Sequence, residues 1–265
     1  MYATSYHRAS SVEDAVKLRG EHEEGRYLSG GMTLIATMKQ RLAAPSDLID
    51  LRHIPDLKGV SVDGRNVRIG AGTPHADVAG SSMLRSVCPA ICALAGMIGD
   101  PHVRHMGTIG GSIANNDPAA DYPAAMLGLG ATIITDRRWL AADDFFTGMF
   151  ETALEEGEMV TAVTFEAPEK AGYAKFANPA SRYALTGVFV AKRGDGVRVA
   201  VTGAGADGVF RHAGMEAALA SSWSPDSVAG TEVAAADLLS DMHARPDYRA
   251  NLVKVMAKRA VMAAG

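Results

Sequence analysis

This sequence of 265 residues predicts an α+β fold, with α/β units up to about residue 168 and antiparallel strands followed by helices beyond it. Three observations lead to this prediction. Short apolar runs alternate with turn residues in the first part, Pro168–Gly172 has the composition of a boundary, and alanine-rich stretches of helical periodicity dominate the last part. A hydrophobic content of 48% is ample for buried cores.

The first part begins with a small α/β unit. Ser10 or Ser11 can cap a helix through Ala15–Leu18, and Arg26–Leu28 is typical of a strand that enters the glycine pair Gly30-Gly31. The segments that follow are, in chain order, a helix at Leu34–Lys39, a hairpin that turns at Asp63-Gly64, a helical section at His75–Met97, a helix at Ala124–Leu129, and strands at Ala131–Thr135 and Met159–Phe165.

The last part predicts two antiparallel strands, YALTGVFVAKR and GVRVAVTGAG, and a tail with helical periodicity from Val228 to Ala264. Gly203, Gly205 and Gly208 match the G-x-G-x-x-G dinucleotide pattern. That pattern needs a complete βαβ unit with an acidic residue at the end of its second strand, and no second parallel strand follows. A glycine turn that leaves a strand is therefore favoured over nucleotide binding.

Composition limits the possible classes of partner and indicates the cellular location. The formal net charge is −4, with dispersed lysines and arginines, which argues against nucleic acid and anionic membrane surfaces as partners. No apolar run approaches the roughly 18–20 residues of a membrane span, so integral membrane association is not expected. The N-terminal residues lack the apolar core of a signal peptide. The predicted location is the cytoplasm.

Metal and cluster chemistry is not expected within this chain. Cys88 and Cys92 are too few for a four-thiolate cluster or zinc site. Their spacing predicts two buried, inert thiols on one helix face. His102 and His105 lack a third ligand nearby, so ordinary loop or solvent contacts are predicted for them.

The candidate binding segments are two glycine pairs. Gly110 and Gly111, within the stretch Gly107–Asp121, predict a turn of positive φ that approaches a ligand closely. The short polar donors beside them are Thr108, Ser112, Asn115 and Asn116. Free N–H groups at both this pair and Gly30-Gly31 are expected to face an anion. Two such loops suggest one long ligand with two phosphates, although either pair alone could be an ordinary tight turn.

Taken together, the motifs resemble those of the FAD-binding medium subunit of molybdenum hydroxylases, the family of carbon monoxide dehydrogenase, xanthine dehydrogenase and nicotine dehydrogenase. The resemblance covers nearly the whole chain. It rests on SGGMT from Ser29, DPHVRHMGTIGGS from Asp100, DPAADYPAAMLGLGA from Asp117, DDFFTGMFETALEEGEMV from Asp143 and KFANPASRYALTGV from Lys175. Several collinear motifs at family spacing are more specific than any one glycine pair.

The resemblance implies a PCMH-type FAD-binding fold at residues 1–168, with α/β subdomains at about 1–55 and 56–168 that enclose FAD. It implies a C-terminal domain of the carbon monoxide dehydrogenase flavoprotein type at 172–265, with a three-stranded antiparallel sheet and a helical bundle. It also implies a heterotrimer, or a dimer of heterotrimers, in which a large subunit carries the molybdopterin cofactor and oxidises the substrate. A small subunit carries two 2Fe-2S clusters, and this chain passes electrons from them to an external acceptor.

The same resemblance assigns cofactor contacts and no catalytic residue. Ser29–Thr33 and Thr108–Ser112 resemble the segments that hold the FAD pyrophosphate, while Asn115 and Asp121 match polar groups near the flavin and its ribityl chain. Asp121 could instead cap the next helix, and Asn115 could simply satisfy loop backbone. The predicted cofactor-binding residues are Ser29, Gly30, Gly31, Met32, Thr33, Thr108, Ile109, Gly110, Gly111, Ser112, Asn115, Asp121, Val160 and Tyr183.

The remaining assignments concern single positions. Val160 resembles an apolar cofactor contact, and Tyr183 resembles a tyrosine that covers the flavin, with a core tyrosine as the alternative. Met32 stands where many relatives have a small polar residue, so backbone contact is expected to replace one side-chain hydrogen bond. Ala177 stands where eukaryotic xanthine dehydrogenases carry a lysine near the flavin, which puts NAD as the final acceptor in doubt.

Two other functions fit the same residues. One is a self-contained flavin-dependent oxidase of the same superfamily, and the other is a non-catalytic assembly subunit with vestigial glycine loops. The substrate of the whole enzyme stays open among carbon monoxide, an aldehyde, a purine and another N-heterocycle, because the family places that choice in the molybdenum subunit. The final acceptor and the oligomeric state also stay open.

Overall fold

The computed structural model describes all residues, 1–265, and begins with a small parallel sheet. Its strands are β1 (Ser5–Arg8), β2 (Arg26–Leu28) and β3 (Asp47–Asp50), in the order β1-β3-β2, and its helices are α1 (Val12–Glu21) and α2 (Leu34–Lys39). Side chains of β3 alternate between two cores, because Ile49 packs with the α1 side and Leu48 with the α2 side. The side chain of Ser11 accepts a hydrogen bond from the N–H of Asp14, so Ser11 is the cap of α1.

A five-stranded antiparallel sheet forms the centre of the molecule. Its strands are β4 (Val60–Asp63), β5 (Asn66–Gly70), β6 (Thr132–Thr135), β7 (Trp139–Ala141) and β10 (Val160–Glu166), in the order β4-β5-β10-β6-β7, and a separate hairpin pairs β8 (Phe146–Gly148) with β9 (Glu151–Thr152). The helices of this part are α3 (His75–Gly80), α4 (Ser82–Val87), α5 (Pro89–Gly96), α6 (Pro101–Met106), α7 (Ile109–Asn115), α8 (Tyr122–Leu129) and α9 (Ala142–Phe145). All eight residues of α8 are buried.

The last sheet is antiparallel and has two buried faces. Its strands lie in the order β11 (Lys170–Ala177), β12 (Ala184–Arg193), β13 (Gly196–Thr202) and β14 (Phe210–Arg211). Two α-helices follow in the chain, α10 (Ala213–Ser221) and α11 (Pro246–Ala264). Val188 and Val190 of β12 pack with residues of α10 and α11, whereas Phe189 and Ala191 face the opposite way and pack with α8. The period of two in a strand therefore buries both faces of β12.

The α+β prediction is confirmed, with two differences in the last part. The predicted three-stranded sheet has a short fourth strand, because the chain turns back after Gly208 and Phe210 pairs with Val201. The predicted helical bundle consists of two α-helices that pack on the sheet, α11 on β11 and β12, and α10 on β13. Because Gly203–Gly208 joins two antiparallel strands, the dinucleotide pattern lacks its βαβ unit, as predicted.

Two predicted elements and the placement of one cysteine differ from the structure. The helical section at His75–Met97 is three short helices, because Ser81 ends α3 and caps α4, and Pro89 keeps the preceding Cys88 out of the helical conformation between α4 and α5. Both thiols are buried as predicted, and burial raises the pKa of Cys88 to about 12, but Cys88 lies outside the helix that carries Cys92. In the predicted helical tail, regular α-helix begins only at Pro246.

The predicted division at Pro168–Gly172 stays a prediction. The largest buried cluster joins residues from both sides of it, including Val163 before it and Tyr173, Phe189 and Ala200 after it. None of the helices combines the length and hydropathy that a bilayer-spanning segment requires.

Candidate functional site

A cleft of about 730 Å³ opens between the small parallel sheet, the start of α7 and the ends of the last sheet. Its volume lies in the range of about 300–1,000 Å³ that is typical of cofactor sites. Of the predicted cofactor-binding residues, all except Ile109 line this cleft. Residues far apart in the chain therefore converge on one concave site.

The first glycine segment, Ser29–Thr33, connects β2 to α2 along one wall of the cleft. Gly31 has a φ of 71°, a left-handed conformation that favours glycine. None of the five backbone N–H groups of this segment forms a hydrogen bond within the chain. A run of unpaired N–H groups in a concave site is suited to bind an anion such as a phosphate.

The second glycine segment differs from the prediction in two ways. Gly110 and Gly111 lie in the first turn of α7 and do not have positive φ. Their N–H groups are also not free, since Gly110 donates to the carbonyl of Ala71 at 2.8 Å and Gly111 donates to Oγ1 of Thr108 at 3.1 Å. Ala71 and the helix cap Thr108 already accept from these two donors, so this segment lines the cleft with the polar side chains of Thr108 and Ser112.

Gly110 of the second glycine pair is required by close packing. A Cβ atom on Gly110 would lie 2.4 Å from Cβ of Ala71, the residue directly after β5. This contact fixes α7 against the central sheet. The prediction that Ile109 contacts the cofactor is not supported by its position. Its side chain is fully buried in the main core, and its N–H donates to the carbonyl of Thr73. Ile109 anchors the segment and does not face the cleft.

The two glycine segments touch directly. Oγ of Ser29 lies 2.8 Å from Oγ1 of Thr108, and a Cβ atom on Gly30 would lie 2.3 Å from the carbonyl oxygen of Met106. Glycine at position 30 is therefore what allows the two backbones to meet. The unpaired N–H groups of one segment and the hydroxyls of the other consequently share one part of the cleft.

Asp121 lies in the cleft wall in a buried ion pair. Its Oδ1 accepts a hydrogen bond from the Tyr173 hydroxyl at 2.5 Å and lies 2.9 Å from Nζ of Lys175. Burial raises the pKa of Asp121, and the Lys175 ammonium and the Tyr173 hydroxyl oppose that rise. The alternative that Asp121 caps the next helix is wrong, since its side chain makes no capping hydrogen bond to α8.

The last sheet holds the segment that carries Asp121. Oγ1 of Thr202 donates to the carbonyls of Pro118 and Ala120, at 3.1 and 2.6 Å. The N–H of Gly203 donates to Pro118 as well, at 2.8 Å. Asp121 therefore takes its position from β13, which lies some eighty residues later in the chain.

Tyr183 lines the same end of the cleft and is 46% exposed. This exposure excludes the core-tyrosine alternative. Its neighbours Ser181 and Arg182 line the cleft too, and Arg182 donates to the carbonyl of Gly99 at 3.3 Å. The loop between β11 and β12 therefore reaches across to the loop before α6.

The other predicted residues take distinct positions. Val160 is buried at the base of the cleft, Met32 is exposed on its wall, and Asn115 faces it from α7. Asn116 is structural, because its buried side chain donates to the carbonyls of Gly148 and Glu151 at 2.8 Å each and so holds the β8–β9 hairpin.

Three functional candidates were not predicted. His75 is 5% exposed in the cleft wall, its Nδ1 has no hydrogen-bond partner, and burial lowers its pKa to about 4. Arg26 lines the cleft, and its guanidinium forms no ion pair and no hydrogen bond within the chain. Lys175 neutralises Asp121. Arg26 lies three residues before the first glycine segment, which is a local signal, whereas nothing in the sequence marks His75 or Lys175.

Comparison with known proteins identifies several relatives. The family described as the FAD binding domain in molybdopterin dehydrogenase matches residues 2–167. The carbon monoxide dehydrogenase medium chain of Hydrogenophaga pseudoflava is 32% identical, over 98% of this chain and 96% of that one. The nicotine 6-hydroxylase medium subunit of Paenarthrobacter nicotinovorans is 34% identical, over 99% of this chain and 98% of that one. The structure of reconstituted CO dehydrogenase from Oligotropha carboxidovorans matches with a TM-score of 0.90 and 33% identity, over 99% of this chain and 98% of that one.

Proposed function

This chain belongs to the family of FAD-binding domains in molybdopterin dehydrogenases, and from that premise we propose that it is the electron-transfer subunit of a cytoplasmic molybdenum hydroxylase. The family predicted from the collinear motifs is confirmed. In the proposed complex, a large molybdopterin subunit oxidises the substrate and a small iron–sulfur subunit delivers electrons to this chain. This chain passes them to an external acceptor, in a heterotrimer or a dimer of heterotrimers.

The observation that best supports the proposal is the meeting of the two glycine segments in one cleft. Five unpaired N–H groups at residues 29–33 would hold the pyrophosphate of FAD, with the hydroxyls of Thr108 and Ser112 beside them. Arg26, exposed at the edge of the same wall, adds a positive charge. These residues fit a long ligand with two adjacent phosphates.

The lining of the cleft offers two kinds of chemistry. The apolar side chains of Leu51, Leu57 and Val160 suit the flat face of an adenine ring. Asp121, Tyr183 and the neutral imidazole of His75 offer hydrogen bonds and an aromatic surface to an isoalloxazine and its ribityl chain. When bound, FAD supplies the redox chemistry, and the chain supplies binding and orientation.

Electron transfer is tested by mixing two purified components without oxygen. The iron–sulfur subunit is reduced, freed of excess reductant and added to this chain loaded with FAD, and the flavin absorbance is followed. We expect the flavin to bleach at a rate that saturates with the iron–sulfur subunit, and an added acceptor to restore the absorbance. A flavin that stays oxidised beside reduced clusters would refute the proposal.

The alternative functions give different results in companion experiments. Steady oxidation of a small substrate by the isolated chain would indicate a self-contained oxidase. An assembled complex that reduces its acceptor at full rate after FAD has been removed would indicate an assembly subunit. A complex that loses acceptor reduction without FAD and regains it when FAD is added supports the proposed role.

A further inference from the structure

His7, His22 and Asp47 form a side-chain cluster outside the cleft. His7 lies in β1, Asp47 begins β3, and His22 directly follows α1. Nε2 of His7 lies 2.6 Å from Oδ1 of Asp47, and Nδ1 of His22 lies 3.4 Å from Oδ2 of the same carboxylate. The three candidate ligand atoms all lie within 4.8 Å of one another.

We propose that this cluster binds a divalent transition-metal ion of the zinc class, with two imidazole nitrogens and one carboxylate as ligands. Zinc bonds to histidine nitrogen and carboxylate oxygen are about 2.0–2.2 Å long, so neighbouring ligand atoms of a tetrahedral site lie about 3.3–3.6 Å apart. Nδ1 of His22 and Oδ2 of Asp47 are already 3.4 Å apart, which lies in this range, while His7 contacts the other carboxylate oxygen, Oδ1. The contact of 2.6 Å between His7 and Asp47 must widen by about 0.7 Å as the ion replaces the shared proton.

The three ligands are held by the backbone before any ion binds. Two of them lie on hydrogen-bonded parallel strands, and the rings of His7 and His22 stack with centroids 4.5 Å apart. The hydroxyl of Ser46 donates to Oδ2 of Asp47 at 2.6 Å, and this contact, with that of His7, lowers the pKa of Asp47. The carboxylate is therefore oriented and ionised, as metal binding requires.

The exposure of the two histidines and the chemistry of the ligand atoms indicate which metal ion the cluster would bind. The side chains of His7 and His22 are 27% and 31% exposed, so an ion can enter from solvent and keep water as a further ligand. Imidazole nitrogen favours zinc, copper and nickel, whereas magnesium and calcium prefer sites made only of oxygen ligands. We therefore expect zinc to bind and magnesium not to bind.

The site has a structural connection to the cleft. The carbonyl oxygen of His22 accepts a hydrogen bond from Arg19 at 3.2 Å, and Arg19 lines the cleft and pairs with Glu156. An ion on His22 would hold the end of α1 against the sheet beside this contact. The expected effect of binding is a more stable small parallel sheet.

Zinc titration of the purified full chain tests the proposal, by calorimetry and by thermal unfolding. We expect one equivalent of zinc to bind and to raise Tm, with no such effect of magnesium. His22→Phe keeps an aromatic ring beside His7 and removes the ligand nitrogen. It should weaken zinc binding about 10–100-fold or more, since even outer-sphere partners change metal affinity by that factor.

His53→Phe is the matched control, because His53 is exposed and lies outside the cluster. This variant should bind zinc like the wild type. Cobalt provides a second readout, with visible absorption bands that appear in the wild type and disappear in His22→Phe. Absence of stoichiometric zinc binding, or binding that His22→Phe leaves unchanged, would show that the cluster is only a hydrogen-bonded group and would overturn the proposal.

Discussion

Replacing Gly30 with alanine should separate the two glycine segments. The new Cβ would lie 2.3 Å from the carbonyl oxygen of Met106 and 2.7 Å from Cα of Gly107, whereas ordinary contacts begin at 3.4 Å. The backbones must therefore part by about 1 Å (3.4 − 2.3 = 1.1). That movement would break the hydrogen bond of 2.8 Å between Ser29 and Thr108.

The cost can be worked out from these two effects. Overpacking against backbone costs about 1–3 kcal/mol, and a lost hydrogen bond costs about 1 kcal/mol. We expect Gly30→Ala to lower the free energy of unfolding by about 2–4 kcal/mol. If FAD requires the closed arrangement, its affinity should fall about 30-fold or more, since each 1.4 kcal/mol is a factor of ten.

The assays are urea-induced unfolding of the chain and titration with FAD followed by fluorescence. Gly20→Ala is the matched control, because Gly20 lies in α1 with no atom within 4 Å of its new Cβ, and this change should stabilise the chain by up to about 1 kcal/mol. Ser29→Ala measures the hydrogen-bond contribution alone. A Gly30→Ala protein with wild-type stability and FAD affinity would refute the reasoning.

Three further predictions concern the ion pairs and the aromatic wall of the cleft. Asp121→Asn leaves the buried Lys175 ammonium without its counter-charge and should cost about 3–5 kcal/mol in urea unfolding; the double variant with Lys175→Met should recover most of this loss, and an unaffected single variant would contradict the ion pair. Hydrogen bonding to Arg138 lowers the pKa of Glu158 from 4.5 to about 2, so its stabilising contribution is complete above about pH 4.5 and is lost as the pH falls towards 2. Glu158→Gln should flatten the pH dependence of Tm in that interval, and an unchanged slope would count against this pair. Tyr183→Phe should raise the fluorescence of bound FAD, because a phenol quenches flavins by electron donation more strongly than a phenyl ring does; equal fluorescence would place Tyr183 away from the flavin.

Local signals in the sequence were sufficient for many elements. The predicted bounds of Arg26–Leu28 and Leu34–Lys39 agree with β2 and α2, and Ser11 caps α1. These predictions succeed because capping residues and apolar periodicity act over a few neighbouring residues. The helical tail was predicted too long, since the alanine-rich composition before Pro246 is compatible with helix while its tertiary contacts favour irregular chain.

The sequence was sufficient to predict which segments form the candidate site, but not their backbone conformation or the contacts between them. The second glycine pair has the same composition as the first, yet Gly31 alone has a left-handed φ, while Gly110 is a glycine because Ala71 lies against it. Such a contact joins residues 39 positions apart and leaves no local pattern. The charge partner of Asp121 was missed for the same reason, because Lys175 reaches it from β11.

The sequence by itself determined the fold class, the family and the two segments that build the cleft, because these depend on local conformational preferences and on motifs that stay collinear. Only the tertiary structure decided which of those donors are free. It brings Ser29 to Thr108, commits the N–H groups of Gly110 and Gly111 to hydrogen bonds within the protein, and leaves those of residues 29–33 unpaired. The physical reason is that each donor pairs with the acceptor that folding places beside it. For Gly110 this acceptor is the carbonyl of Ala71, far away in the chain, whereas Gly111 donates to the nearby helix cap Thr108.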